Sequence, residues 1–262
     1  YSLMFVFAFG IGFFLMTKMY AIDKVNEKYV EPFFTWTLIG TILGARMGHV
    51  IFYQSELFRE DFWSVFLPIR TKPEFEFTGF SGLASHGAAI AIIIMMYFYS
   101  KKVIHRPLLW ILDRIVIPVA SGAIFVRLGN FFNSEIVGHE TNSAFGIKFL
   151  RDSIKPNVAL IETKAGNVNE AYKQIATNPE YATILQRIPV KHPAQLYEAI
   201  GYVLVFAVVF FLYWKTEARE KSGYILGVFL VLLWTVRFVV EYVKESQGGI
   251  EEQLGLFSTG QW

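Results

Sequence analysis

The feature that most constrains this chain is a series of long apolar runs with very few charges. Residues 1–17 hold no charged side chain, and runs 32–55, 81–99, 107–126, 195–214 and 223–242 each hold no more than two Asp, Glu, Lys, Arg or His residues. About 20 consecutive, mostly apolar residues suffice to cross the hydrocarbon core of a bilayer. The expected fold is therefore an all-α integral membrane protein. Six to seven transmembrane helices are expected, the seventh starting near Ser258, with a small mixed extracytoplasmic head. The first run lacks a basic leader and a small-residue cleavage site, so it reads as a span rather than a signal peptide. Composition agrees: 54% of the residues are hydrophobic and 18% charged, against about 45–50% and about 25% in soluble domains. A net charge of +2 is too small to indicate a nucleic-acid partner. The chain has no cysteine, which excludes disulfides and thiolate metal sites, so any thiol chemistry must use a partner's thiol.

The short connections 18–31, 100–106 and 215–222 carry Lys18, Lys24, Lys28, Lys101, Lys102, Arg106, Lys215, Arg219 and Lys221. Short loops rich in lysine and arginine face the cytoplasm, which puts residues 56–80, residues 139–191 and the N-terminus outside. Segment 139–191 is polar and includes a helix-like run, Asn169–Leu185, so it reads as a small extracytoplasmic head of mixed structure. The organisation expected is transmembrane helices 1–4 with an outer-face loop over 1–138, the head over 139–191, and helices 5, 6 and the start of 7 over 192–262. In the second span, Gly40, Gly44 and Gly48 recur every four residues, a spacing that lets helix backbones approach closely in lipid.

Charges inside a membrane are expensive and therefore candidates for function. With this topology, Arg46 and His49 lie in the outer half of the second span, His86 starts the third, Arg127 ends the fourth, Glu198 begins the fifth, and Arg237 and Glu241 end the sixth. All fall toward one leaflet. Asp113 and Arg114 lie nearer the cytoplasmic end and read as structural ion-pairing groups. Arg237 and Glu241, four apart on one helix face, suit either an intrahelical salt bridge or a site. His86 has no neighbours at metal-ligand spacing, so no metal is expected there. Segment 127–138 mixes Arg127, Asn130, Asn133, Glu135, Gly129 and Gly138 at the mouth of a span. Helix-exit capping accounts for Gly129 and Asn130 but not for Arg127 and Glu135. Pro193 suits a first helical turn after His192, which leaves Glu198 unexplained.

Together these segments resemble the prolipoprotein diacylglyceryl transferase family. The family signature is close to G-R-x-G-N-F-x-N-x-E-x-x-G, and residues 126–138 match it except that Val126 stands for the first glycine. His192-Pro193-Ala194-Gln195-Leu196-Tyr197-Glu198 is similar to H-P-[SA]-Q-L-Y-E. Ser85-His86-Gly87-Ala88, Gly44-Ala45-Arg46-Met47-Gly48 and Arg237-Phe238-Val239-Val240-Glu241-Tyr242 resemble three further family elements, in the family's order. There are departures. Leu233 occupies a position where the family often has an essential tyrosine, and the family's early tyrosine falls on Tyr1.

The resemblance implies transfer of the diacylglyceryl group from phosphatidylglycerol to the lipobox cysteine in a prolipoprotein signal peptide, releasing glycerol 1-phosphate. This is the first step of bacterial lipoprotein maturation. It further implies no cofactor, and a location in the bacterial cytoplasmic (inner) membrane, among membrane lipids, with the active site toward the outer leaflet. On that reading His86 is the base for the thiol, with Arg237 and Tyr1 also catalytic. Arg127 and Arg237 bind phosphate, since guanidinium forks match its oxygens. Asn130 and Glu135 bind headgroup hydroxyls or orient Arg127, Glu198 and Glu241 fix the arginines, and Arg46 and His192 complete the substrate-binding set. The alternatives are an anionic-lipid transporter or flippase, which predicts internal repeats and ionisable groups on both sides of the midplane, and a non-catalytic membrane receptor.

Overall fold

The computed structural model describes residues 2–67, 69–71, 74–77, 82 and 84–245. Its long helices are α1 Ser2–Ile22, α2 Val30–Tyr53, α3 Ser85–Tyr99, α4 Leu108–Asn133, α5 Ala194–Lys215 and α6 Tyr224–Glu241. Among the described residues, five segments are long and apolar enough to cross a membrane: Leu3–Ile22, His86–Ile104, Leu108–Asn133, Ala194–Lys215 and Tyr224–Glu241. The protein is thus an all-α, multi-pass membrane protein. Helix α2 spans 24 residues but is not among the five, because Glu31, Arg46, His49 and its threonines dilute its apolar character. The expected seventh span near Ser258 lies outside the described residues, as does Tyr1.

The chain forms two compact units, one of residues 1–12, 116–219 and 227 onward, the other of 13–115 and 220–226. In the second, α2 packs against α3 through the glycine series. A methyl group built on Gly48 would lie 2.6 Å from Gly87 Cα, and one on Gly44 would lie 3.2 Å from Ala88 Cα and 2.6 Å from the Gly87 carbonyl oxygen. Small residues are needed there because the two backbones touch. The expected structural role of Asp113 and Arg114 takes a specific form. Arg114 Nε lies 2.9 Å from Asp23 Oδ2, with the guanidinium 3.9 Å from the Trp110 ring centre. Asp113 accepts the Gly223 and Leu226 N–H groups at 2.6 and 2.8 Å, filling donors that the start of α6 leaves unpaired within the helix.

In the first unit, the later part of α4 joins α5, α6 and the head. The head includes an antiparallel pair, Ile147–Lys148 with Val190–Lys191. Helices Pro156–Thr163 and Val168–Thr177 close on a small core of Ala159, Ala171, Tyr172 and Ile175. The helical run expected over Asn169–Leu185 is broken: one helix ends at Thr177, a turn spans Pro179–Tyr181, and a second helix covers Ala182–Arg187. Asn178 explains the break, since its side chain accepts the Glu180 N–H at 3.0 Å and starts the turn that Pro179 favours. Lys191 fastens the head. Its ammonium lies 2.9 Å from Asp152 and 2.7 Å from Glu245, just past α6. Burial alone would lower its pKa, but hydrogen bonds and charge from Glu245 and Asp152 outweigh this and raise it above the usual lysine value.

Candidate active site

The polar segment expected at the mouth of the fourth span is largely helical. Helix α4 continues through Arg127, Gly129 and Asn130 to Asn133. Its exit is capped by Ser134, not by Gly129 and Asn130 as expected. Ser134 takes the left-handed conformation at φ 58°. Its N–H bonds to Phe131 O at 3.0 Å, and the Glu135 N–H to Asn130 O at 2.9 Å. These two bonds define a Schellman termination, with serine where glycine is usual. Two residues after Ser134, Ile136 is also left-handed, at φ 59°, which is sterically costly for a β-branched side chain.

This fold of the exit presents Arg127 to α5. Arg127 Nε lies 2.7 Å from Glu198 Oε2, close enough for a strong ion pair although its N–H is not aimed along a hydrogen bond to that oxygen. Arg127 Nη1 donates to Asn130 Oδ1 at 3.3 Å, Asn130 Nδ2 donates to Glu135 Oε2 at 3.2 Å, and Asn133 Nδ2 to Glu135 Oε1 at 3.1 Å. From α6, Arg237 Nη1 lies 3.8 Å from Glu198 Oε1, while its guanidinium sits 5.9 Å from the Trp234 ring centre. The Glu198 side chain is 2% exposed. Two cations thus share one buried carboxylate, and these three groups carry one positive charge in excess.

Arg127, Asn130, Glu135, Glu198 and Arg237 are therefore brought together. Glu241 does not pair with Arg237 as one sequence reading allowed. Its carboxylate lies 3.3 Å from Lys244 Nζ, and Arg237 turns to Glu198 instead. His192 Nδ1 is 3.2 Å from the Tyr197 hydroxyl. Its backbone carbonyl accepts the Gly138 N–H at 2.9 Å, and Gly138 must lack a side chain because a methyl group there would come within 2.7 Å of His192 Cβ. Three contributors are given no role by the sequence reading: Asn133, Lys244 and Gln195. Gln195 shares a helix face with Glu198, which was the available signal.

The remaining candidates lie in the other unit. His86 is exposed in the first turn of α3, edge-on to Phe52 at 5.0 Å. Arg46 donates to the Val65 carbonyl at 3.2 Å and also to the Ser64 carbonyl. This binds α2 to residues 64–65, where Asp61 accepts the Ser64 hydroxyl at 2.6 Å and the Thr71 N–H at 2.6 Å.

Apolar helices joined near their ends by charge-paired arginines define a multi-pass membrane protein. The chain belongs to the prolipoprotein diacylglyceryl transferase family, whose model matches residues 1–262. Curated relatives named phosphatidylglycerol–prolipoprotein diacylglyceryl transferase agree. The protein from Porphyromonas gingivalis is 35% identical over 92% of this chain and 75% of its own length. The one from Bacteroides fragilis is 31% identical over all of this chain and 82% of its own length. That from Chloroherpeton thalassium is 32% identical over all of this chain and 81% of its own length.

Proposed function

We propose that this protein transfers the diacylglyceryl group of phosphatidylglycerol to the lipobox cysteine of prolipoproteins, the first step of lipoprotein maturation. The observation that carries the reading at residue level is the sharing of Glu198 by Arg127 and Arg237. A buried carboxylate holds two guanidiniums in place while leaving them a surplus of positive charge for a phosphate. Arginine forks suit phosphate oxygens, and donors fixed before the reaction stabilise charge that develops on a leaving group.

The chemistry proposed is a substitution at carbon. His86 removes the proton of the substrate thiol, and the sulfur attacks glyceryl C3. A carbon–sulfur bond forms as the bond from C3 to the phosphate oxygen breaks. Glycerol 1-phosphate leaves with the bonding pair, its charge neutralised by Arg127 and Arg237, and His86 then returns its proton to solvent. A free thiol has a pKa of about 8.5, so a base is needed near neutral pH. The chain contains no cysteine, which accords with a nucleophile brought by the protein substrate. Asn130 and Glu135 orient Arg127, and Glu241 with Lys244 steadies the end of α6. Arg46 shapes the loop beside α2, and His192 orders the entry to α5. The setting is the bacterial inner membrane, with chemistry at the outer leaflet, a placement supported by the lysine- and arginine-rich short loops at the other end of the spans.

The test is incubation of purified protein with phosphatidylglycerol vesicles and a lipobox peptide. The expected result is a diacylglyceryl mass gain on cysteine and release of glycerol 1-phosphate. Folded protein that moves lipid between leaflets and yields no thioether would replace this reading with the transporter one.

A further inference from the structure

Gln195 stands out among residues to which the proposed mechanism gives no task. It is completely buried. Its amide nitrogen donates to the Glu135 carbonyl at 2.6 Å. That carbonyl accepts only, which fixes the orientation of the amide. Its Oε1 meets no hydrogen-bond donor among the described residues. A buried amide with its acceptor unused is costly, so burial is a poor account of why a glutamine stands here.

What the bond holds is more informative. Glu135 lies between Ser134 and Ile136, which are left-handed at φ 58° and 59°. The Schellman bonds account for Ser134, but they close before Ile136. Beyond Ile136 the chain is pinned again. Glu245 N–H bonds to Val137 O at 3.1 Å, and Gly138 N–H to His192 O at 2.9 Å. The Glu135 carbonyl belongs to the peptide that leads into Ile136, and Gln195 grips that peptide. Relaxation of Ile136 to a negative φ would rotate this peptide, move Glu135, and with it the Asn130 amide that bonds both Glu135 and Arg127. Gln195 and Glu198 sit three apart on one face of α5. Glu198 fixes the guanidiniums of Arg127 and Arg237, and Gln195 fixes the backbone from which Arg127 is oriented.

We infer that Gln195 is a positioning residue that clamps the strained Glu135–Ile136 peptide and thereby sets Arg127 for the phosphate of the lipid substrate. The inference rests on the transferase reading above. Strain held at a site persists only where its surroundings over-determine it, and Gln195 is the side chain that does so here.

The test is suppression. Glycine adopts positive φ without steric cost, so Ile136→Gly removes the need for a clamp. With phosphatidylglycerol and a lipobox peptide, Gln195→Met is expected to lower kcat/KM for the lipid by about tenfold, the equivalent of about 1.4 kcal/mol. Its melting temperature and its KM for the peptide should stay unchanged, since methionine matches the volume and removes the orphaned oxygen. Ile136→Gly alone should keep activity near wild type, and the double variant should recover most of the loss. Full activity in Gln195→Met overturns the inference. So does a loss that Ile136→Gly leaves unrepaired, because a glutamine needed only for packing would not be replaced by a backbone change at position 136. Should Gln195→Met fail to fold, Gln195→Asn, polar but one methylene too short, is read in the same way. Wild-type protein that forms no thioether would defeat the transferase reading itself, an outcome distinct from any result with the variants.

Discussion

Arg127 Nε lies 2.7 Å from Oε2 of Glu198, a carboxylate on the neighbouring helix α5 whose side chain is 2% exposed. The other oxygen of that carboxylate faces Arg237, at 3.8 Å. Two guanidiniums in an apolar setting repel one another, and the carboxylate between them makes their proximity tolerable. The same geometry keeps both arginines close while neutralising only one of them, and the proposed phosphate site would use the remaining charge.

Removing Glu198 should therefore damage both stability and activity. Breaking a buried ion pair by deleting one partner costs about 3–5 kcal/mol. Glu198→Ala is expected to unfold at clearly lower temperature in detergent and to lose transfer. Glu198→Gln keeps the volume and should fold better, yet still lose about 100-fold in kcat/KM, since groups of this kind contribute about 2.7–4 kcal/mol to a developing anion. Thermal melts monitored by tryptophan fluorescence, run beside the transfer assay, check both. Wild-type turnover in Glu198→Gln would show that the carboxylate does not set the arginines.

In the proposed mechanism His86 bears on the thiol, not on the phosphate. His86→Gln is expected to reduce transfer by about 100- to 10,000-fold at neutral pH, the usual range for a general base. The deficit should shrink as pH approaches about 8.5, where a free thiol ionises unaided. A pH–rate profile of the variant against wild type measures this. An equal deficit at all pH values would assign His86 a binding role in place of proton transfer.

Much of this arrangement was legible in the sequence, for physical reasons that also explain what was not. Arginine and glutamate in apolar runs are conspicuous because lipid penalises them, so Arg127, Glu198 and Arg237 could be singled out by residue type alone. The spans were legible to within a few residues where charged groups lie only near the ends, as in α5 and α6. The exit of α4 was misread because its termination uses Ser134 in a conformation that normally marks glycine, leaving Gly129 as a false stop within the helix. Gln195 entered the sequence reading only as part of the segment His192–Glu198. Its partner is a backbone carbonyl, which every residue has, so no side-chain pattern announces it. The pairing of Glu241 with Lys244 rather than Arg237 likewise depended on where α6 ends.

The head fastening has a predictable pH response. The pKa of Lys191 is raised in the folded protein by Glu245 and Asp152. A raised pKa means that the folded state holds the proton more tightly than the unfolded chain does. The stabilisation is fully present below about pH 10.4, the unfolded value, and is lost as pH rises through the higher folded value. Lys191→Met should lower stability by about 1–3 kcal/mol at neutral pH, the range for hydrogen bonds to charged groups or for a partner left unsatisfied. The gap from wild type should narrow above about pH 10.4. Denaturation curves at pH 8 and 11 compare the two proteins, and an identical gap at both would mean that lysine contributes by packing rather than by charge.

The crossing of α2 and α3 offers a prediction about helix packing. A methyl group on Gly48 would sit 2.6 Å from Gly87 Cα and 3.1 Å from Gly87 N, both backbone atoms that no side-chain rotation can move. Gly48→Ala must therefore push the helices apart, at a cost of about 1–3 kcal/mol for overpacking of this kind. Gly10 has nothing within 4 Å of the same constructed methyl, and Gly10→Ala should gain up to about 1 kcal/mol from helix propensity. The paired melts make the comparison internal, with lower melting temperature expected for Gly48→Ala and an equal or higher one for Gly10→Ala. If Gly48→Ala melts with the wild type, the two helices are not in backbone contact at that point. Transfer activity should follow the fraction folded in Gly10→Ala, whereas Gly48→Ala, by displacing Gly87 next to His86, should lower transfer further.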